Sequence, residues 1–178
     1  CRLSMNVSNR IAIVTGAGSG IGAAIAQHLA AANYHVVVVG RRESALRETA
    51  AAASQNFSVR PLDVGERDAV ERLIESVVAE HGHIDVLVNS AGTNTVDRAA
   101  ANVPLDEWNR ILHVNATGAF NCIQCVIPQM RQQSGGTIIN ISSVAGRRAI
   151  SLGGVAYNAS KFAMTALGTT VGEEEKEN

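Results

Sequence analysis

The sequence holds 178 residues, with 15 Lys and Arg against 16 Asp and Glu, 46% hydrophobic and only 3% aromatic. That suffices for one domain with a sizeable core and is too little for two. It excludes wholesale disorder, a strongly basic nucleic-acid face and a stacking platform for single-stranded bases. No apolar run reaches about 18 residues, so no segment is expected to span a membrane. Three cysteines, Cys1, Cys122 and Cys125, make no disulfide framework. The opening residues lack the apolar stretch of a signal peptide, so a reducing, cytoplasmic compartment is expected. The chain opens on Cys1 with Met5 close behind, and ends on an acidic stretch after Gly172. Both ends suggest a piece of a longer protein.

Along the chain the hydrophobic period switches repeatedly between two patterns. Ile11 to Val14 is a short continuous apolar run, the pattern of a strand buried on both faces. A glycine-rich turn follows, then a helix over residues 20–32. Val36 to Val39 is a second buried strand, and residues 43–53 read as a helix. Phe57 to Leu62 is a third strand, limited by Pro61. Residues 66–81 carry Val70, Leu73, Ile74, Val77 and Val78 at helical spacing. Ile84 to Val88 is the fourth strand, and residues 93–103 read as a loop. Pro104 and Asp106 signal the start of a long helix through Trp108, Leu112, Phe120 and Ile123 towards Met130. Gly135 and Gly136 break it before a fifth strand, Thr137 to Ile141. A loop from Ser142 to Gly154 leads into a last helix over residues 155–171. Strand and helix alternate without internal repeat, which predicts a single α/β domain over 1–178, an open, doubly wound parallel sheet with helices on both faces. Such sheets bind ligands beyond the C-terminal ends of their strands.

The turn between the first strand and the first helix reads Thr15-Gly16-Ala-Gly-Ser19-Gly20-Ile21-Gly22. Glycines there permit positive φ and remove the Cβ atoms that would block a phosphate, while a helix start favours an anion. Tyr157 and Lys161 lie four apart, on one face of the last helix. A phenol is a poor proton donor and acceptor at neutral pH, and a nearby ammonium favours its phenolate. Ser143, just past the fifth strand, is placed to hydrogen-bond a substrate carbonyl, and alternation turns Ser142 the other way. Asn115 sits inside the long helix, where asparagine is a poor fit and calls for a reason. Position 40, where an NAD site carries Asp or Glu, is Gly, followed by Arg41 and Arg42. Arginine suits a 2′-phosphate where a carboxylate would repel it, so NADP is expected, with NAD as the second possibility. Cys122 and Cys125 have redox-motif spacing but lie mid-helix and read as core. His81 and His83 lack further ligands, so no metal site is expected.

Thr15-Gly16-x3-Gly20-Ile21-Gly22 resembles the cofactor fingerprint of the short-chain dehydrogenase/reductase family. Asp63-Val64, Asn89-Ser90-Ala91-Gly92, Asn115, Ser143 and Tyr157-Asn-Ala-Ser-Lys161 follow in that family's order, each at the matching strand end or helix. The chain is most similar to the 3-oxoacyl-(acyl-carrier-protein) reductase branch. Ser90 departs from the commoner second asparagine of the fourth-strand motif. The resemblance implies a Rossmann-like three-layer fold of strand order 3-2-1-4-5, with the family's later strands missing. It also implies an oxidoreductase interconverting a carbonyl and an alcohol on a small molecule. Tyr157 would then pass the proton, Lys161 assist it and hold the nicotinamide ribose, Ser143 polarise the carbonyl, and Asn115 hold a relay water. Thr15, Gly16, Ser19, Gly20, Ile21, Gly22, Arg41, Arg42, Asp63, Val64, Asn89, Ala91 and Gly92 would line the dinucleotide. Asp63 would meet the adenine, and a homodimer or homotetramer would form through the last two long helices. The alternatives are a nucleotide-binding sensor without catalysis, disfavoured because both Tyr157 and Lys161 are present, and an inactive, poorly soluble fragment of the enzyme.

Overall fold

A computed structural model describes residues 10–51 and 56–177. Cys1, Met5 and the expected continuation of the second helix to residue 53 lie outside the described residues. The elements are β1 (Arg10–Thr15), α1 (Gly20–Ala31), β2 (Tyr34–Gly40), α2 (Glu43–Ala51), β3 (Phe57–Pro61) and α3 (Arg67–His81). They continue with β4 (Val86–Asn89), α4 (Leu105–Leu112), α5 (Gly118–Gln132), β5 (Thr137–Asn140) and α6 (Val155–Glu174). The strands form one five-stranded sheet in the order β3-β2-β1-β4-β5, every pair parallel, with Ile13 in register with Val37 on one side and Leu87 on the other.

Strand alternation divides the apolar runs between two cores. Ile11, Ile13, Val37, Val39 and Leu87 pack with Val70, Leu73 and Val77 of α3 and Ile123 and Val126 of α5. Ala12, Val14, Val36, Val38 and Val88 face Ala26 and Ala30 of α1 and Leu46 of α2. Because both faces are covered, the central strands carry unbroken rather than alternating hydrophobicity. The middle of the β1–β2 pair is sealed: Ala12, Ile13, Val14, Val36, Val38 and Val39 are all 0% exposed.

Two local departures from the sequence-based expectation have visible causes. The fourth strand begins at Val86, not Ile84. Ile84 is fully buried, but Gln133 satisfies its backbone, accepting from its N–H at 3.1 Å and donating to its C=O at 2.7 Å. The long helix expected from Pro104 to Met130 is interrupted by a π-helical turn, His113–Thr117, between α4 and α5. Asn115 lies inside that turn and is 0% exposed. Its amide is directed away from its own helix, onto the loop that follows β4. Such single wide turns are frequent at functional sites.

Candidate active site

The C-terminal ends of β1, β2, β4 and β5 open onto one cleft of about 510 Å³. At one end lies the glycine-rich turn. Gly16 has φ +66°, and a Cβ there would sit 2.7 Å from the backbone of Ala91, so only glycine lets the turn lean against the end of β4. A Cβ on Gly22 would lie 2.5 Å from the Gly16 carbonyl oxygen, which makes Gly22 a packing requirement of α1 against the turn. Gly20, at φ +56°, has nothing within 4 Å of its missing Cβ, so space stands open above the start of α1. No acidic side chain occupies the first turn of α1, and the Ser19 side chain does not cap it. An open, uncapped helix start with glycine around it fits a diphosphate.

Thr15 plays a different part from the one its motif position suggests. It is 1% exposed, and its hydroxyl donates to Val88 O at 3.3 Å while accepting from the Ser90 and Ala91 N–H groups, each at 3.1 Å. It is a lock between β1 and the β4 end, not part of the cleft wall. Asn89 is buried as well, and its amide donates to Asn140 Oδ1 at 2.9 Å. Gly16, Ser19, Ile21, Gly22, Ala91 and Gly92 do line the cleft.

At the β2 end, Gly40, Arg41, Arg42, Asp63 and Val64 line the wall together with Leu46 and Leu62. No carboxylate stands at position 40. Arg41 Nη1 lies 3.7 Å from Asp63 Oδ2, with the arginine side chain 58% exposed, while Asp63 Oδ1 accepts from the Gly65 N–H at 3.0 Å. Asp63 is thereby fixed by its own turn, and the two guanidinium groups stay at the surface of the cleft.

Tyr157, Lys161 and Ser142 line the opposite end. Lys161 is 5% exposed, donates from Nζ to Ile141 O at 2.8 Å, and carries its Nζ 5.7 Å from the centre of the Tyr157 ring. Burial lowers the pKa of its ammonium. Gly92 marks the meeting point: a Cβ there would lie 3.6 Å from Asn115 Oδ1 and 3.8 Å from Lys161 Nζ. Asn115 itself accepts from the Thr93 N–H at 2.7 Å and donates to Thr93 O and Ser160 Oγ at 2.9 and 3.0 Å. It therefore stands behind the wall and holds it.

The two serines diverge, as alternation requires, yet Ser142 is the one that lines the cleft. Ser142 Oγ bonds Lys161 O at 3.2 Å and Thr165 Oγ1 at 2.9 Å, tying β5 to α6. Ser143 Oγ accepts from the Ala145 N–H at 3.1 Å and caps the short turn Val144–Gly146, which leaves its own O–H available to donate. Thr93 and Asn94 also line the cleft and were not singled out by sequence. Their one signal is position, directly after a strand end of a parallel sheet. Cys122 behaves as core, its thiol pushed up to about 12 by burial. Among the described residues no cluster of His, Cys, Asp and Glu is disposed to hold a metal, and no helix is long and apolar enough to cross a membrane.

Comparison with known proteins agrees with this architecture. Residues 10–178 match the family model for short chain dehydrogenases. An uncharacterized oxidoreductase of Staphylococcus epidermidis is 34% identical over 168 residues, which are 94% of this chain and 72% of the relative. A 3-oxoacyl-(acyl-carrier-protein) reductase of the same species is 37% identical over 171 residues, 93% of this chain and 69% of that one. Among solved structures, a metagenomic short-chain oxidoreductase in complex with NADP has a TM-score of 0.89 at 35% identity, over 96% of this chain and 78% of its own. NAD-bound xylitol dehydrogenase has a TM-score of 0.89 at 32% identity, over 95% and 66%.

Proposed function

The chain belongs to the short-chain dehydrogenase family, and on that footing we propose that it is an NADP-dependent oxidoreductase interconverting a carbonyl and an alcohol on a small molecule. The observation that carries the reading is the pairing of a buried lysine with a tyrosine at one end of the cleft whose other end holds the glycine turn and two arginines. When bound, the nicotinamide supplies or accepts the hydride. The protein's task is to orient the reactants and move a proton.

Tyr157 is the proton donor in reduction and acceptor in oxidation. Lys161, anchored by Ile141 O, places a positive charge beside the ring and so favours the phenolate that results when the proton leaves. Ser143 stands just after the cleft-lining Ser142 in the chain, and its hydroxyl hydrogen, left free by the bond that Oγ accepts from the Ala145 N–H, would serve a developing oxyanion. Asn115, buried near Lys161 across Gly92, has its amide hydrogens on Thr93 O and Ser160 Oγ, so a water linking Lys161 to solvent would donate to one of its oxygens. Gly16, Ser19, Ile21 and Gly22 would hold the diphosphate of a bound dinucleotide, Arg41 and Arg42 its 2′-phosphate, and Asp63 and Val64 its adenine. The absence of a carboxylate at Gly40 favours NADP, with NAD as the second possibility. Phe120 and Phe162, each 43% exposed, lie on α5 and α6 and suit pairing of these helices in a homodimer or homotetramer. Presence of both Tyr157 and Lys161 speaks against a sensor without catalysis.

The test is oxidation of NADPH by the intact protein in the presence of a panel of ketones and 3-oxoesters, run in parallel with NADH. The reading expects carbonyl-dependent turnover with kcat/KM at least about tenfold higher for NADPH, the worth of one charge-assisted phosphate contact. No carbonyl-dependent oxidation with either nucleotide would overturn the enzyme reading, and a preference for NADH would overturn the assignment of Arg41 and Arg42.

A further inference from the structure

Residues 91–94 line the cleft within a stretch, 91–98, that belongs to no helix or strand, so side chains must hold it in place. Asn115 takes both backbone polar groups of Thr93. Thr15 accepts from the Ala91 N–H, and Arg98 donates to Thr95 O and Leu152 O while its own C=O accepts from the Val155 N–H; a further hold on Thr93 and Asn94 comes from α4. Arg110 lays its guanidinium between two partners, with Nε on Glu107 Oε1 at 2.8 Å and Nη2 on Glu107 Oε2 at 2.7 Å, a paired fork. From the other edge, Nη1 donates to Thr93 Oγ1 at 2.6 Å and Nη2 to Asn94 O at 3.1 Å. Asn94 then carries the restraint onward, donating to Gly153 O at 3.1 Å, next to the start of the helix that bears Tyr157.

We propose that the Glu107–Arg110 fork is a positioning device for the active site: it fixes Thr93 and Asn94 in the cleft wall and thereby sets the Asn115 amide relative to Lys161. Arg110 touches neither Lys161 nor Tyr157 in this arrangement, so it acts through the loop and is not itself catalytic. Three features support the role. The guanidinium is half-buried, its side chain 35% exposed against 28% for Glu107, which is less screened than an ordinary surface pair. Hydrogen bonds from Arg110, together with one from Thr95, hold the Glu107 carboxyl at about 2, so the fork stays ionised throughout the neutral range. Lysine at position 110 could reach Glu107 but lacks the planar fork needed to serve Thr93 and Asn94 as well.

The catalytic part of the proposal rests on the function proposed above, and the test separates the two. In the intact protein, Arg110→Ala, Arg110→Lys, Glu107→Gln and Thr93→Val are compared with the parent by amide hydrogen exchange over residues 91–98, by kcat with NADPH and a reducible ketone, and by NADPH Kd. Arg110→Ala should raise exchange in that segment at least about tenfold while the β1 and β2 amides stay protected. It should lower kcat about 10- to 100-fold, the cost of misplacing a catalytic group by a fraction of an ångström to one ångström, with NADPH Kd within about threefold of the parent. Arg110→Lys should recover part of kcat, and the two milder variants should fall between and serve if Arg110→Ala does not fold. Unchanged exchange over 91–98 overturns the proposal whatever the activity. A loosened loop with parental kcat overturns it too, as does a loss of kcat matched by an equal loss of NADPH affinity. If the parent reduces no carbonyl, the functional reading falls, and the exchange data still decide whether the fork holds the loop.

Discussion

Replacing Thr15 by valine tests the claim that this residue locks the sheet and does not contact ligand. Valine keeps the branched shape and removes only the hydroxyl. That hydroxyl is buried and accepts from two backbone N–H groups, Ser90 and Ala91, at 3.1 Å each, so two donors at the end of β4 lose their partner at once. An abandoned buried donor costs about 1–3 kcal/mol. Ser90 and Ala91 also border the cleft, where water can partly relieve them, which places the sum near the lower half, about 2–3 kcal/mol. For a domain of this size that corresponds to a fall in Tm of roughly 5–10 °C. Thr15→Ser keeps the hydroxyl and loses one methyl, about 1 kcal/mol. Urea unfolding followed by circular dichroism, with equal slopes for all three proteins, reads the difference directly. A valine variant within about 0.5 kcal/mol of the parent, the noise of ordinary surface changes, or a serine variant less stable than the valine one, would refute the lock.

Gly16→Ala should destabilise more than Gly20→Ala. Both require positive φ, about 1–2 kcal/mol for alanine, but only the first drives a Cβ to 2.7 Å from the Ala91 backbone, and thermal melts of the two variants give the order. Arg41→Ala combined with Arg42→Ala should weaken NADPH by about 1.5–3 kcal/mol per lost phosphate contact and leave NADH nearly unchanged, checked by fluorescence titration; equal losses for both nucleotides would count against the pair. Lys161 is charged below its depressed pKa and neutral above it, so kcat should fall as pH rises before the ordinary lysine value of 10.5 is reached. A rate still climbing at that pH would contradict it. His35 is lowered from 6.5 by burial first and by the neighbouring His81 second. The unfolded chain therefore takes up the proton first, and stability present above pH 6.5 is lost as pH falls below it. His35→Gln should flatten that loss in urea midpoints measured on both sides of this pH.

Much of the molecule is legible in the sequence because its signals are redundant. Val36 to Val39, short and β-branched, reads as a strand buried on both faces, and the glycines at 16, 20 and 22 announce a turn whose backbone must run close to something. Tyr157 and Lys161 are joined by helical spacing alone. What the sequence conceals is produced by long-range contacts. The π-helical turn at His113–Thr117 carries Asn115, whose amide bonds a loop 22 residues away, and no local propensity encodes that contact. Thr15 sits in a ligand motif but has its hydroxyl bound to β4, so its motif position gives no hint of its partners. Which of Ser142 and Ser143 borders the cleft depends on how the turn after β5 packs on α6, where Gly146 comes so close that a Cβ would lie 2.4 Å from Lys161 O. The Arg110 fork is invisible for the same reason: residues 93–98 carry no periodicity, and they are held by distant groups, Asn115, Arg110 and the start of α6 among them.

The proposed role of Tyr157, moving the proton beside Lys161 at one end of the nucleotide cleft, rests on its phenolic hydroxyl. Its most direct test is Tyr157→Phe in the intact protein, with NADPH Kd and carbonyl-dependent turnover measured on the same sample. Removing the phenolic hydroxyl leaves the glycine turn and Arg41 and Arg42 untouched, so NADPH Kd should stay within about threefold of the parent while turnover falls by at least about 100-fold, the usual worth of a positioned acid–base group. Turnover within about threefold of the parent would contradict the account.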